Sequence, residues 1–423
     1  MDSHLLDLSD QLLTGARDVS DHHPLNMASP ARLEELGPGL AFVESFCNVI
    51  AVETDQGLVM VDGGSPMHAG AIHSEIRAWT QQPLHTMIYT HGHVDHVFAI
   101  SQFEAEATGP AHVVAHEAVP DRFRRYDRTN GYNGRINQRQ FQLGSPLFPT
   151  GFRYPDETYR SSLDVEIGGC EFQLRHDRGE TDDGTWIYLP ERKVLCTGDL
   201  FIWASPNCGN PQKAQRYCDE WAAALRKMAT LGAELLLPGH GLPIAGAARI
   251  QGVLEDTARY LESLFDQTIE MMNAGCRLDE IIHTVTPPAD LVGRPFLQPV
   301  YDEPEFVVRG IWRLYGGWYD GNPATLKPAP DTTLAAEIAR LAGGADRLAE
   351  RALECSENGE HRLAGHLIEM AGMASPEARE IHQARSAVFG ARAQAERSTM
   401  AKGVFAWAER ESNDRAQAAI EAD

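Results

Sequence analysis

The loop at residues 90–96, THGHVDH, places three histidines and an aspartate directly after the apolar run TMIY. A short apolar run bounded by polar residues predicts a buried strand, so these side chains stand where a strand ends. Imidazole and carboxylate groups are common zinc ligands, although one histidine alone would be only a solvated loop residue. His91 and His93 can hold one metal while Asp95 and His96 face a second. The loop therefore predicts a metal site that needs further ligands from distant strands.

Three more candidate ligands follow apolar runs in the same way. Glu180 follows FQLRHDRG, Asp199 follows KVLCTG and His240 follows ELLLPG. Ligands collect at the loops beyond the strand ends of α/β sheets, so these positions can converge on one cleft. Two metals about 3.5 to 4 Å apart can activate a shared water and clamp the attacked group. The predicted ligands of two divalent ions, with zinc the expected metal, are His91, His93, Asp95, His96, Glu180, Asp199 and His240.

Up to about residue 245 the sequence predicts strands separated by turns, with a few helices. The runs 39–53 and 57–62 flank TDQ and predict a hairpin, and the runs 164–176 and 185–199 each predict two strands around a turn. Strands mixed with helices indicate an α/β layered domain. Further strands are predicted at 86–90, 112–117 and 233–241, and a short helix at 74–82.

The sequence pattern changes after Pro243. Residues 247–274 have apolar positions at helical spacing, NPATLKPAPDTT at 322–333 indicates a linker, and residues 334–411 are Ala-rich and amphipathic. We therefore predict three domains. They are an α/β domain over residues 1–245, a helical extension over 246–330 and an all-α domain over 331–423.

Composition excludes several classes of protein. The formal net charge is −23, and a chain this acidic is a poor nucleic-acid binder, because phosphate binding needs dense Lys and Arg. No run approaches the roughly 18 to 20 apolar residues of a membrane span, and MDSHLLDLSDQLL lacks the basic n-region of a signal peptide. The seven cysteines are scattered without a CxxC pair, which indicates a reducing compartment. We expect a cytoplasmic protein with no nucleic-acid partner and no membrane span.

Taken in order, THGHVDH, TGD and PGHG, with VETDQGLVMVDGG upstream, resemble the metallo-β-lactamase fold over residues 38 to about 245. The resemblance implies the α/β class, as a four-layer αβ/βα sandwich with a dinuclear metal site between the sheets. The all-α domain would follow it. The resemblance also implies that Asp199 is the bridging carboxylate and His240 the last histidine ligand.

The third motif departs from the pattern of that superfamily. Most members carry a histidine just after a glycine, whereas RHDRGETDDGTW places Glu180 there. His176 lies four residues earlier and is the competing ligand. We favour Glu180 because it keeps the position after the glycine, and an acid at this step resembles the alkylsulfatase branch.

A second segment is similar to the same branch. YDEPEFVVRGIWRLYGGWYDGNPATL at residues 301–326 resembles an alkylsulfatase segment that ends in a GW-aromatic-DGNPA signature. The helices after it resemble the alkylsulfatase dimerisation domain, which implies a homodimer, and a two-fold dimer is the commonest closed oligomer. The alternative is that this segment is a buried aromatic helix and loop with only a structural role.

The expected anion pocket matches the branch only in part. The branch usually has a glutamate as the bridging acid, where Asp199 stands here, and its sulfate-binding Asn and Arg follow that acid. Asn207 matches the Asn by position, but the first arginine after it is Arg216, with Gln212 and Lys213 in between. Asn207, Lys213 and Arg216 are the candidate substrate-binding residues, with a solvated loop as the alternative.

The segment RFRRYDRTNGYNGRINQRQF, residues 122–141, is a basic insertion in an acidic chain. Such a segment can line the mouth of a cleft and attract an anionic head group. Tyr132 and Arg139 are its candidate substrate contacts, and a solvated helix face is the alternative.

The leading functional prediction is hydrolysis of alkyl sulfate esters to alcohol and sulfate, with Asp95 as the catalytic proton acceptor beside the metals. Two divalent ions bring four positive charges, and Asp95, Glu180 and Asp199 bring three negative ones. A centre that is nearly neutral suits a singly charged sulfate ester or a neutral ester better than a phosphate dianion. The alternatives are hydrolysis of a lactone, thioester or other ester at the same site, and a metal-binding scaffold whose helices recruit partners.

Overall fold

The computed structural model describes residues 3–107 and 109–422. Contacts between residues divide the chain into two compact units. The first unit comprises Met1–Asn130 and Phe148–Trp318, and the second comprises Gly131–Leu147 and Tyr319–Asp423. Because this division follows contacts rather than sequence motifs, the predicted domain limits near residues 245 and 330 stay predictions.

The strands of the first unit follow runs rich in Val, Ile, Leu and aromatic residues, which favour a pleated and buried surface. Thirteen strands lie in the described part of the chain. They are β1 (Arg32–Gly37), β2 (Leu40–Glu44), β3 (Val49–Thr54), β4 (Gly57–Val61), β5 (Leu84–Ile88), β6 (His112–His116), β7 (Glu157–Tyr159), β8 (Ser162–Ile167), β9 (Cys170–His176), β10 (Thr185–Leu189), β11 (Val194–Ile202), β12 (Leu235–His240) and β13 (Ile244–Ala245).

Two sheets bring the strand ends together. The first has the order β1-β2-β3-β4-β5-β6-β7 and the second β13-β12-β11-β10-β9-β8. The pairs β4–β5 and β11–β12 are parallel, so each pair ends at one edge of its sheet. Ligands collect beyond such edges. The first pair delivers the loops 62–68 and 90–96, and the second delivers Asp199 and His240.

The helices are amphipathic, and α6 shows why its sequence folds as one. Its buried residues Ile250, Val253, Leu254, Ala258 and Leu261 recur at the spacing of one helix face. The helices are α1 (His4–Leu13), α2 (Ala69–Trp79), α3 (Ile100–Glu106), α4 (Val119–Phe141), α5 (Cys218–Ala229), α6 (Ala247–Asn273), α7 (Leu278–Thr284), α8 (Pro304–Gly316), α9 (Pro323–Leu326), α10 (Asp331–Ala342), α11 (Ala345–Glu357), α12 (His361–Ala374), α13 (Arg379–Ala395) and α14 (Thr399–Ala422), with short 3-10 helices at Val19–His22 and Pro295–Leu297.

The layers of the first unit follow from the alternation of residues along its strands. Successive strand residues point to opposite faces of a sheet. Leu40 and Phe42 of β2 belong to an apolar core that also contains the second sheet and α5 and α6. Ala41 and Val43 belong to a separate core with α2 and α3. The order is helices, sheet, sheet and helices, which is the four-layer αβ/βα arrangement that the sequence predicts.

The predicted run 39–53 is wrong as one continuous strand, because residues 45–48 divide it into β2 and β3. There the Asn48 side chain donates to the carbonyls of Pro238 at 3.0 Å and Gly241 at 2.8 Å. A backbone turn lets Asn48 satisfy these two carbonyls, since buried carbonyls need partners. The break therefore joins the first sheet to the loop that carries His240.

The second unit has its own apolar core, in which Ile368 and Val388 are fully buried. Helices α10 to α14 confirm the helical prediction for residues 334–411. The internal segment 131–147 packs in the same unit, where Gln142 Nε2 donates to the carbonyl of Gly403 at 2.8 Å. The unit is therefore built from two separate stretches of the sequence.

Candidate metal centre

The seven predicted metal ligands converge in the first unit as two adjoining groups. Within each group the donor atoms all lie within 4.8 Å of one another. The first group is His91, His93, Glu180 and Asp199, and the second is Asp95, His96 and His240. The loop at 90–96 therefore divides its side chains between the groups in the way its spacing predicts.

Asp199 lies between the two groups. Its Oδ2 is 3.8 Å from His91 Nε2 and 3.5 Å from His240 Nε2, and its Oδ1 is 3.5 Å from His96 Nε2. Carboxylates can bridge or complete a pair of metal ions. The position fits the predicted bridging role of Asp199.

Two distances between inward-facing atoms are those expected of ligands around an ion. Glu180 Oε2 lies 3.6 Å from His93 Nδ1, and Asp95 Oδ2 lies 3.5 Å from His240 Nε2. Hydrogen bonds between such atoms are usually about 2.7 to 3.2 Å long. Two donors about 2.1 Å from one tetrahedral zinc ion lie about 3.4 Å apart. These two distances match the second geometry better than the first, whereas the facing ring nitrogens of His91 and His93 lie 2.8 Å apart, at hydrogen-bond length.

Three polar atoms at the centre have no partner of their own. Among the described residues, His96 Nε2, Glu180 Oε2 and Asp199 Oδ1 are buried and accept or donate no hydrogen bond. Buried polar atoms are normally paired, so each unpaired atom calls for an explanation. A cation would satisfy all three, and the residues present therefore fit a metal centre.

Two of the histidines, His96 and His240, are positioned by contacts to their Nδ1 atoms. His96 Nδ1 lies 2.7 Å from Asp62 Oδ2 and 3.2 Å from Cys47 Sγ, and His240 Nδ1 contacts the Phe46 carbonyl. Histidines that bind metals generally donate their other ring N–H to a carboxylate or carbonyl, which fixes the tautomer. These contacts direct both Nε2 atoms toward the centre.

Asp62 is a residue that sequence reasoning missed. It is buried, has a positive φ of 62°, and accepts from the amide and the hydroxyl of Thr90, both at 2.7 Å. The same carboxylate contacts His96, so it ties both ends of the 90–96 loop to β4. The run VMVDGG carried the signal, an acid directly after an apolar strand, as for Asp199.

Two residues predicted to bind substrate hold Glu180. Asn207 Nδ2 donates to Glu180 Oε1, Arg216 Nη2 lies 3.4 Å from the same oxygen, and Arg216 Nη1 donates to the Glu180 carbonyl. Glu180 Oε2 is thereby left facing the histidines. Burial raises the pKa of the Glu180 carboxyl to about 8, while Arg216 lowers it and Asp199 raises it. A cation beside Oε2 would favour the ionised form.

His176, the competing ligand of the third motif, lies outside both groups. Its ring stacks on that of His116 with 3.6 Å between centroids, and its Nδ1 lies 2.9 Å from the Gly184 carbonyl. Glu180 stands with His91 and His93 instead. The geometry agrees with the preference for Glu180 at this position.

Lys213 stands near the centre as a half-buried cation. Burial lowers the pKa of its ammonium group to about 8, Arg216 lowers it too, and Asp95 and Glu180 raise it. An ammonium with this pKa is mostly charged at neutral pH. Lys213 therefore adds positive charge beside the predicted ligands, and its contact with substrate stays a prediction.

Tyr132 and Arg139 belong to the second unit. Both lie in α4, whose backbone departs from helical geometry at Thr129 with φ −117° and ψ 15°. The side chain of Tyr132 is 68% exposed. Substrate contacts by these two residues stay predictions.

The loop after β11, which carries Asn207, is fastened to the segment around α8. The amide of Gly209 donates to Asp302 Oδ2 at 2.5 Å, and Gln215 Nε2 donates to the Gly310 carbonyl at 3.0 Å. Asp302 is fully buried. The helical extension therefore fixes the loop that orients Glu180, a role that no sequence motif indicated.

Comparison with known proteins shows which families and enzymes this chain is similar to. Residues 43–240 match the metallo-beta-lactamase superfamily, and residues 277–415 match the alkyl sulfatase dimerisation family. A linear primary-alkylsulfatase from a Pseudomonas species is 28% identical over 342 residues, covering 75% of this chain and 64% of the relative. An (R)-specific secondary-alkylsulfatase from Pseudomonas sp. is 27% identical over 388 residues, covering 82% of this chain and 58% of the relative.

Solved structures show the same fold. The stereoselective inverting sec-alkylsulfatase Pisa1 from Pseudomonas sp. superposes with a TM-score of 0.81 at 23% identity, covering 90% of this chain and 66% of that one. The fold is that of the metallo-beta-lactamase superfamily. Within that superfamily, the chain is similar to alkylsulfatases, and residues 277–415 match their dimerisation family.

This chain spans less than two thirds of the length of both curated relatives, 64% and 58%. Among the residues that the structure describes, no helix is both long enough and apolar enough to cross a membrane. All seven cysteines are free.

Proposed function

We propose that this chain is a metal-dependent hydrolase that cleaves alkyl sulfate esters to alcohol and sulfate. The observation that carries the proposal is the convergence of seven candidate ligands, three of which have a buried polar atom without a hydrogen-bond partner, in a chain similar to alkylsulfatases. The two ligand groups would hold two divalent ions, which we propose to be zinc. Such ions supply a water of lowered pKa and stabilise negative charge on the attacked group.

Asp95 is the proposed proton acceptor. Its side chain is 21% exposed, more than that of any other carboxylate ligand, so it borders the open side of the centre. Burial opposes ionisation, but His96 and His240 lower the pKa of Asp95 to about 2. An ionised carboxylate at this place can accept a hydrogen bond from the attacking water and orient it, and as a proton acceptor it is a weak base because its pKa lies far below neutral pH.

The charge around the centre supports a substrate with one negative charge. The three carboxylate ligands nearly balance two divalent ions, and Lys213 and Arg216 add positive charge on one side. A sulfate monoester carries one negative charge, which hydrogen bonds from charged donors stabilise well. Lys213 is the better candidate than Arg216 for binding the sulfate charge, because both terminal nitrogens of Arg216 already face Glu180.

One observation favours the second candidate, hydrolysis of an uncharged lactone, thioester or other ester at the same site. Asn207 and Arg216, the expected sulfate contacts, are engaged with Glu180. If both serve only Glu180, fewer donors remain for a charged group. The scaffold hypothesis has less support, because all seven ligand positions are occupied by residues able to bind metal.

The test is sulfate release from short and long alkyl sulfates, measured beside hydrolysis of an uncharged lactone, on metal-analysed protein. We expect sulfate release by the wild type. In Asn207→Ala we expect a loss of about 10²- to 10³-fold on alkyl sulfates, the cost of one positioned donor. Equal losses on both substrates would assign Asn207 to Glu180 alone. Lactone hydrolysis with no sulfate release from any alkyl sulfate would overturn the proposed function.

We also propose that the chain forms a homodimer, because residues 277–415 match the alkyl sulfatase dimerisation family. Light scattering at micromolar concentration should give twice the mass of a single chain. The mass of one chain under the same conditions would contradict the proposal. A cytoplasmic location stays a prediction from the sequence.

A further inference from the structure

A buried ion pair lies beneath the 90–96 loop and has no part in the ligand groups. Arg122 of α4 donates from Nε to Asp183 Oδ2 at 2.6 Å. The two residues are 5% and 0% exposed. Buried ion pairs cost desolvation and are often replaceable by apolar residues without loss of stability, so this one needs a reason to be there.

The pair contacts the backbone between two candidate ligands. The same Oδ2 of Asp183 accepts from the amide of Gly92 at 3.1 Å. A Cβ at Gly92 would lie 2.9 Å from Arg122 Cδ and 3.2 Å from Asp183 Oδ2, so the loop lies directly on the pair. His91 and His93 flank this glycine, and their facing ring nitrogens are 2.8 Å apart.

Asp183 also ties two ligand loops to each other. It follows Glu180 by three residues, in the loop between β9 and β10. Beside it, the amide of Thr185 donates to the Thr90 carbonyl at 2.7 Å. One carboxylate therefore fixes the backbone that carries His91 and His93 to the loop that carries Glu180. In the second group, His96 contacts Asp62 and His240 contacts the Phe46 carbonyl, and Asp62 also accepts from Thr90 at the start of the loop.

The charges explain why an acid and an arginine occupy these positions. A carboxylate accepts an amide hydrogen bond more strongly than a neutral oxygen does. The ligand set already contains three carboxylates, and a fourth one nearby would repel them unless it were neutralised. Arg122 supplies that neutralisation, and it holds the pKa of Asp183 below its usual range against the effect of burial.

We propose that Asp183 is a positioning residue, neutralised by Arg122, for the ion held by His91, His93 and Glu180. The inference rests on the proposed metal centre and is independent of the substrate. Loss of Asp183 should therefore weaken one of the two ions selectively. The ion at Asp95, His96 and His240 should be retained.

The experiment measures metal content and affinity by competition with a chromophoric chelator, using zinc as the probe. Asp183→Asn keeps the size of the side chain and is expected to lower the affinity for one zinc ion by about 10- to 100-fold, the range found for partners of metal ligands. The matched control is Asp182→Asn, because Asp182 also pairs with Arg122 but its side chain is 42% exposed. Its two affinities should equal those of the wild type.

In Asp183→Asn, buried Arg122 keeps only the carboxylate of Asp182 as a charged partner, and such a variant can fail to fold. The double variant Arg122→Met, Asp183→Asn removes both charges, and it should fold and still bind one zinc ion weakly. Two ions at wild-type affinity in either variant would overturn the proposal, as would equal weakening of both. Wild-type protein that binds two ions but releases no sulfate would refute the proposed function and leave this inference intact.

Discussion

Asp199→Ala is expected to remove most of the bound metal and to lower hydrolysis on the order of 10³-fold or more. Among the described residues, Asp199 is the one carboxylate with oxygens facing both ligand groups, 3.5 to 3.8 Å from His91, His96 and His240. Changing a mere partner of a metal ligand typically costs about 10- to 100-fold, and a shared ligand should cost more. Elemental analysis measures the metal content, and a rate assay on the same preparation measures the loss of hydrolysis.

The control for Asp199→Ala is Asp127→Ala, since Asp127 is exposed on α4. It should keep two ions per chain and the wild-type rate. Two tightly bound ions in Asp199→Ala would show that Asp199 does not bridge. Loss of only the ion at His91 and His93 would assign Asp199 to a single group.

Gly209→Ala should lower the free energy of unfolding by about 3 kcal/mol or more, because overpacking against backbone is costly. A Cβ at Gly209 would overlap the backbone of Phe306 and Val307 in α8, and neither can yield as a flexible side chain can. The amide of Gly209 also donates to Asp302, so displacement of the loop would break a buried bond. The shift in the denaturant midpoint at constant slope measures the effect.

The matched control is Gly252→Ala. Gly252 lies within α6, and a Cβ there would meet no atom within 4 Å. Alanine is the better helix former, so this variant should be stabilised by about 0.5 to 1 kcal/mol. If Gly209→Ala were as stable as the wild type, the close approach of the loop to α8 would be wrong.

The ligand positions were predictable because each one follows an apolar run that is visible in the sequence. His91 and Glu180 follow β5 and β9, His240 is the last residue of β12, and Asp199 lies within β11. The parallel pairs β4–β5 and β11–β12 place His91, Asp199 and His240 near the ends of neighbouring strands. The choice of Glu180 over His176 came from its place after a glycine. In the structure the ring of His176 stacks on His116 and its Nδ1 contacts the Gly184 carbonyl, so His176 lies outside the ligand groups.

The residues that support these ligands were not predictable in the same way. Arg122 and Asp183 are 61 positions apart and meet only after α4 packs beside the strand ends. Asp302 lies in the segment 301–326, for which the sequence offered only a family resemblance. Its hydrogen bond to the amide of Gly209 joins residues 93 positions apart. Periodicity reports which face of an element is buried, whereas these contacts depend on how whole elements pack.

The assignment of residues 131–147 to the second unit limits how the gene can be divided. A single cut near residue 318 would separate Gln142 from Gly403, the carbonyl to which its side chain bonds. A fragment that starts at residue 319 would likewise lack a stretch that packs within its own unit. The helical unit therefore cannot be transferred to another protein as a C-terminal fragment alone. A fusion or exchange between relatives must carry an internal loop along with the end of the chain.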